Sequence, residues 1–259
     1  MMTYTMARQG YKVDDFIKTA VDCKVDGIDW VTTYGCDPKD LKNMSHDAGL
    51  EIACHTFMAG KFINREADWL DQIKQSIEDA VIMGAPVVMI PTGSNANMTR
   101  EAYQDFWIEG LKQIEPLTED AGLILTVENF PGKKSAFVIA DDFYKAKAEV
   151  PSLKLTFDDG NAASGENPIE SFKRCADDVV HVHFKDWSIS DTMQEGYREF
   201  LDGKYYKPAL ISQGGVDTAG VWKAMKDYGY KGFINIEYEG DEIKADKANH
   251  IVVEYLRSL

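Results

Sequence analysis

Thiols are scarce in this chain. Four cysteines, Cys23, Cys36, Cys54 and Cys175, are spread over 259 residues, and no two stand as C-x-x-C. A disulfide framework or a thiolate zinc knuckle is not expected; reduced, buried thiols are. Positive charge is also short, with 28 Lys and Arg against 43 Asp and Glu, a formal charge of −15. Such a surface repels phosphate backbones and anionic lipid, so neither nucleic acid nor a membrane is expected as a partner. Long apolar runs are missing too. The longest, from Ala80 to Pro91, contains Gly84 and Pro86 and is too short to span a bilayer. The opening MMTYTMARQGYKV has no basic stretch followed by an apolar one, so no secretory leader is expected and the protein is placed in the cytoplasm.

Apolar material is present in ordinary amount. At 44% hydrophobic residues the chain can fill a complete core. Short β-rich runs alternate with helical patterns from end to end. Strands are expected at 2–6 (MTYTM), 27–31 (GIDWV), 51–57 (EIACHTF), 86–91 (PVVMIP), 123–127 (LILTV), 153–157 (LKLTF), 179–184 (VVHVHF) and 232–236 (GFINI). Helices are expected between them. Asp37-Pro38 offers a cap followed by proline at the first helical position, and Gly122 follows the end of the helix that begins near Thr99.

Strands alternating with helices imply a parallel sheet with right-handed crossovers. Eight units in this length predict an α/β fold, a single (β/α)8 barrel forming one domain over 1–259. No G-x-G-x-x-G follows the first expected strand, which argues against a dinucleotide fold. One connection is unusually long, about 187–216, after the seventh strand; a lid and a packed excursion are equally compatible with it.

In such barrels the C-terminal ends of the strands form the active face. Those ends here carry His55, Glu128, Asn129, Asp158, Asp159, Lys185, Asp186, Glu237 and Glu239, with lesser contributions from Arg8, Asp29 and Thr92. His181, His183 and Lys185 alternate with Val182 and Phe184, so the three share one face of their strand. Carboxylates and an imidazole converging on one mouth would repel one another and would be costly to bury unpaired. A divalent cation resolves this, and hard oxygens with one nitrogen suit Mn2+, Mg2+ or Co2+.

Four motifs in order, LTVEN at 125–129, LTFDDGN at 155–161, HVHFKD at 181–186 and GYKGFINIEYEG at 229–240, each end or contain an expected strand. With them the whole chain resembles the xylose isomerase-like TIM-barrel superfamily of sugar phosphate isomerases and epimerases. The resemblance implies one metal ion held by Glu128, Asp158, His183 and Glu237. Mn2+ is favoured, with Mg2+, Co2+ and Zn2+ as alternatives. It also implies that Glu128 and Glu237 are the catalytic pair. They would exchange a proton beside a carbonyl of a small sugar-like substrate while the metal stabilises the enediolate. His55, Lys185, Trp30, Asn161 and Arg198 are the candidate substrate contacts. A homo-oligomer is compatible with this type of barrel.

The ketose 3-epimerases of that superfamily differ at three places: their sugar-gripping His, Glu and Arg correspond to Asn161, Lys134 and Ile189 here. Isomerisation or epimerisation is therefore expected without a defined substrate. A lyase or dehydratase begins with the same proton abstraction and is the main alternative. An endonuclease of the abasic-site type would need more than the five histidines present. A non-catalytic sugar-binding barrel is the remaining reading.

Overall fold

The fold follows from period-two alternation along its strands. Ile28, Trp30, Ile52, Val88, Ile90, Leu125, Val127, Leu155, Phe157, Val182, Phe184 and Ile236 all join one core of 55 buried residues, which lies between the strands and the surrounding helices. Their neighbours in sequence turn the other way: Cys54, Val87 and Met89 form a small separate cluster, and the hydroxyls of Thr126 and Thr156 meet at 2.8 Å. Fully burying one large apolar side chain contributes about 1.5–3 kcal/mol. The outward layer thus carries the stability, and the interior is free to hold polar groups.

The computed structural model describes residues 1–259. Helices α1 (Tyr4–Arg8) and α2 (Val13–Cys23) precede β1 (Gly27–Val31), α3 (Pro38–Asp47), β2 (Glu51–Thr56), α4 (Gly60–Ile63), α5 (Trp69–Met83) and β3 (Val87–Ile90). Next come α6 (Arg100–Asp120), β4 (Ile124–Glu128), α7 (Ala140–Glu149), β5 (Lys154–Asp158), α8 (Asp159–Ala162), α9 (Pro168–Cys175) and β6 (Val179–Phe184). An excursion holds β7 (Asp186–Ser190), β8 (Arg198–Glu199) and β9 (Tyr205–Ala209) before α10 (Thr218–Tyr228), β10 (Ile234–Ile236) and α11 (Ala245–Ser258) close the sequence of elements. The parallel sheet runs β1-β2-β3-β4-β5-β6-β10. It forms a nearly closed barrel of seven strands ringed by helices.

The expected first strand, 2–6, is not formed, which corrects the eight-strand reading. Met2 makes an isolated parallel bridge to Asp29, and Thr3 then turns into the helical region at φ −77°, ψ −20°. Both the Thr3 amide and its hydroxyl donate to the Asp29 carbonyl, at 3.1 and 3.0 Å. The same hydroxyl accepts from Val31 N at 2.9 Å. With the Met1 carbonyl accepting from Asp29 N at 2.9 Å, Met1 and Thr3 thus satisfy the edge of β1 that a longer extended strand would otherwise pair.

Other boundaries agree closely with expectation because their caps are local. Asp37 accepts from Lys39 N at 2.8 Å and Pro38 opens α3; Thr99 accepts from Ala102 N at 3.2 Å to start α6. All four cysteines are free thiols. No helix is long and apolar enough to cross a membrane.

The long connection is a folded, three-stranded antiparallel sheet in the order β7-β9-β8. Trp187, Phe200 and Tyr206 form its own small core. Asp186 ties both ends of the excursion together. Its carboxylate accepts from the amides of Trp187, Ser212, Gly214 and Val216 at 2.8, 3.1, 2.8 and 3.0 Å.

Candidate metal centre

The inward faces of β4, β5, β6 and β10 end in Glu128, Asp158, His183 and Glu237. All four are buried, and one ligand atom of each lies within 4.8 Å of the others. His183 Nδ1 is 2.7 Å from Glu128 Oε1 and 3.5 Å from Glu237 Oε2.

Local sequence explains each position. Asn129, next to Glu128, donates from Nδ2 to the Asp158 carbonyl and accepts from the Asp158 amide, both at 2.8 Å. That side chain extends the pairing of β4 with β5 past the last regular residue and fixes the two carboxylates relative to each other. Asp158 Oδ1 caps α8 by accepting from Asn161 N at 2.6 Å, which leaves Oδ2 facing the cluster. Asp159 Oδ1 accepts from the Lys185 amide at 2.9 Å and holds the end of β6 beside β5. Gly160 completes the arrangement: a Cβ there would lie 2.6 Å from the Lys185 carbonyl oxygen, so only glycine permits this approach.

Beneath the cluster lies Asp29. Its Oδ2 is 3.2 Å from His183 Nε2, 3.1 Å from His181 Nε2 and 2.9 Å from Asn235 Nδ2, while Oδ1 accepts from Thr56 Oγ1 at 3.0 Å. A carboxylate behind an imidazole fixes the ring so that the opposite nitrogen faces outward as a ligand. Asp29 has only a minor place among the expected residues because nothing local marks it; apart from Thr56, its partners lie more than 150 residues away in β6 and β10. The Asp29→Asn variant is expected to weaken Mn2+ binding by about 10–100-fold, read by calorimetric titration. Unchanged affinity would show that the ring is held by packing alone.

Lys185 enters the cluster as a buried ammonium. Its Nζ stands 3.0 Å from Glu237 Oε2, 3.5 Å from Asp158 Oδ2 and 3.4 Å from Glu239 Oε1. Burial opposes its charge, but Glu237, Glu239, Asp158 and Glu128 outweigh burial and raise its pKa well above the ordinary lysine value. Burial likewise opposes charge on His183, yet Asp29, Glu128 and Glu237 raise it well above the usual imidazole range. Glu128 is raised by burial, more than its bond to His183 offsets. Asp158 is pushed well above the carboxylate range by burial despite Lys185. For Glu237 burial loses to Lys185 and His183, which hold it down to about 2.

The donor set fits a divalent cation. Five carboxylates, Asp29, Glu128, Asp158, Glu237 and Glu239, face one ammonium, Lys185, and two imidazoles, His181 and His183. Asp158 Oδ2 and Glu237 Oε2 accept no well-aligned hydrogen bond. Three carboxylates and one imidazole nitrogen suit a hard or borderline ion rather than a thiophilic one. A second group of metal-capable side chains, Asp29, Cys54 and His181, lies deeper in the barrel. Asp29 is already saturated there by His181, His183, Asn235 and Thr56, which makes this group a support for the upper one.

The other expected contacts divide. Lys185 is in the cluster. Asn161 is fully buried beside it through the Asp158 cap, and both atoms of its amide lack a partner. Arg198, on β8, is 62% exposed and approaches Glu239 at 4.0 Å. Trp30 and His55 are not brought to the mouth, which corrects their expected role. Trp30 lies on the outward face of β1 and donates from Nε1 to Ser45 of α3 at 3.1 Å. His55 lies on the face of β2 opposite Cys54 and Thr56, with Nδ1 3.1 Å from the Trp30 carbonyl. Alternation from the inward Asp29, Cys54 and Thr56 would have excluded both. His46 and His250 are exposed on helices.

A cavity of about 100 Å3 opens above Glu128 and Glu237, walled in part by Tyr4, Met58, Met89 and Phe130. A larger cavity, about 510 Å3, lies at the opposite end, around the start of β1 and β10, and contains neither candidate metal cluster.

The family described as Xylose isomerase-like TIM barrel matches residues 17–259, and the chain belongs to it. Among curated relatives, the inosose dehydratase of Lacticaseibacillus casei is 28% identical over 231 residues, covering 82% of this chain and 77% of that protein. Two solved structures share the fold. The probable 3-DHS dehydratase AsbF of Bacillus anthracis superposes with a TM-score of 0.78 at 18% identity, covering 99% of this chain and 97% of that one. The 3-keto-D-glucoside 4-epimerase YcjR of E. coli gives 0.74 at 14% identity, with 94% and 93% covered.

Proposed function

We propose that this one-domain member of the xylose isomerase-like family is a divalent-metal-dependent enzyme of carbohydrate-like substrates, in which Glu128 removes the proton beside a carbonyl. The observation that carries the reading is the convergence of four buried ligand groups at the strand ends. When bound, the cation supplies charge that polarises the carbonyl and stabilises the negative charge developing on its oxygen. Mn2+ remains the favoured ion.

Isomerisation or epimerisation, the outcome that the sequence resemblance implies, needs two groups able to take and return one proton. Glu128 and Glu237 stand on different strands and can serve in that way. Their surroundings are unequal, however. Glu237 pairs with the Lys185 ammonium at 3.0 Å, whereas Glu128 has its closest contact with His183. Removal of a proton at Glu128 and delivery of one from Lys185 to a departing hydroxyl suits this asymmetry better. The product is then an unsaturated carbonyl compound and water. The dehydratase names of the curated relative and of one structural neighbour support the same choice.

The test is a screen of sugars, inososes and keto acids in deuterated water with the Mn2+-loaded protein. Loss of water from the product mass is the expected result, with deuterium entering beside the carbonyl of recovered substrate where proton removal is reversible. Retention of mass with deuterium beside the carbonyl would instead establish isomerisation or epimerisation. Lys185→Gln should suppress water loss much more than exchange of the proton beside the carbonyl. Absence of both water loss and exchange with every compound, at full metal occupancy, would leave only a binding protein.

A further inference from the structure

A second cavity, about 320 Å3, opens beside the first and shares Phe130 and Glu239 with it. Four segments wall it: the loop after β3, the loop after β4, the β8 hairpin and, through Glu239, the loop after β10. The first two are pinned by a bridge between Ser94 and Ser135 and by the Asn95 amide donating to the Lys134 carbonyl at 3.3 Å. The second and third are joined by the ion pair of Lys133 with Glu199.

The charge of this chamber runs against that of the protein. It presents Lys133, Lys134 and Arg198 in a chain whose formal charge is −15. Lys133 is neutralised by Glu199, but the other two cations are not matched. The Lys134 ammonium donates to the Ala96 carbonyl at 3.0 Å and meets no carboxylate within 4.0 Å. Arg198 reaches a carboxylate only at 4.0 Å, and that one, Glu239, is shared with Lys185 at 3.4 Å. The guanidinium lies over the rings of Trp187 and Phe200, 6.0 and 5.7 Å from their centroids. Aromatic faces position a guanidinium and leave its donors free for a planar or tetrahedral anion.

We propose that the chamber is an anion subsite: the substrate carries a carboxylate or phosphate that Lys134 and Arg198 hold, while its carbonyl end occupies the inner cavity. The inner cavity, about 100 Å3, accommodates the reacting carbons, and the shared wall of Phe130 and Glu239 leads the remainder outward. The proposal rests on the reading above for its account of the inner cavity, though the subsite can be tested without turnover.

The experiment is calorimetric titration of the full chain, without added metal, using glycolate in one arm and inorganic phosphate in the other. Saturable binding of at least one anion is expected, weakened about tenfold or more in Lys134→Met and in Arg198→Met, the scale of losing one charge-assisted hydrogen bond. Preference for glycolate identifies a carboxylate-bearing substrate, and preference for phosphate identifies a phosphorylated one. Binding of neither anion, or binding that both variants leave unchanged, overturns the proposal. Circular dichroism of the variants excludes loss of fold as the cause, and both side chains are exposed. Anion binding together with a failed deuterium screen would sink the catalytic reading and keep the subsite.

Discussion

Glu128→Gln is expected to lower turnover by about 10²–10⁴-fold, the usual contribution of a positioned general base. The substitution keeps an oxygen at the same place, so metal content should fall much less than rate. The argument is geometric. Glu128 ends β4 inside the barrel, is held against Asp158 by the Asn129 clamp, and has its nearest charged contact at 2.7 Å in His183. Burial raises its pKa, which brings it nearer the range in which a carboxylate is an effective base. Parallel assays of kcat and of bound metal separate the two roles. A variant within tenfold of the parent rate at equal metal occupancy would move the base elsewhere, with Glu237 the next choice.

The second large effect is on stability. Addition of Mn2+ at about 100 times its dissociation constant should stabilise the fold by about 2.7 kcal/mol. For a chain of this size, at about 2 °C per kcal/mol, that is a rise of roughly 5 °C in melting temperature. The rise should grow with pH. Glu128, Asp158 and His183 all have folded-state pKa values above their ordinary ones. The folded chain therefore binds more protons than the unfolded chain, and its metal-free stability declines as pH climbs through those raised values. Glu237, held down to about 2, acts in the opposite sense, but only in acid below the ordinary carboxylate range. Protons and metal compete for the same atoms, so metal affinity strengthens over the window in which the metal-free fold weakens. Thermal melts between about pH 5 and pH 8, with Mn2+ and with EDTA, provide the check. A metal-induced shift that shrinks toward high pH would contradict the assigned ligand set.

Much of this was legible in the sequence, for identifiable reasons. Helix starts such as Asp37-Pro38 and Thr99 are decided within a few residues by capping. The four cluster residues stand at strand ends, where period-two alternation tells which face they take. Most of the losses depend on contacts distant in sequence, and one on local parity. The 2–6 segment has strand-like composition, but after the bridge at Met2 the Thr3 amide and hydroxyl take the place of continued strand pairing at β1. Trp30 and His55 were placed by proximity to a strand end without fixing the parity of β1 and β2. Asp29 draws its importance from His181, His183 and Asn235, which only barrel closure brings near. The small sheet over the mouth has mixed composition, and Asp186 brings its two ends together from positions distant in sequence.

That knot at Asp186 separates a cover from its fastening. Because one carboxylate gathers amides from both ends of the excursion, the cover between residues 188 and 211 is tied at its base and reaches the reacting groups through contacts such as that of Arg198 with Glu239. Exchanging such a cover would alter which compounds are admitted while its base stays fastened.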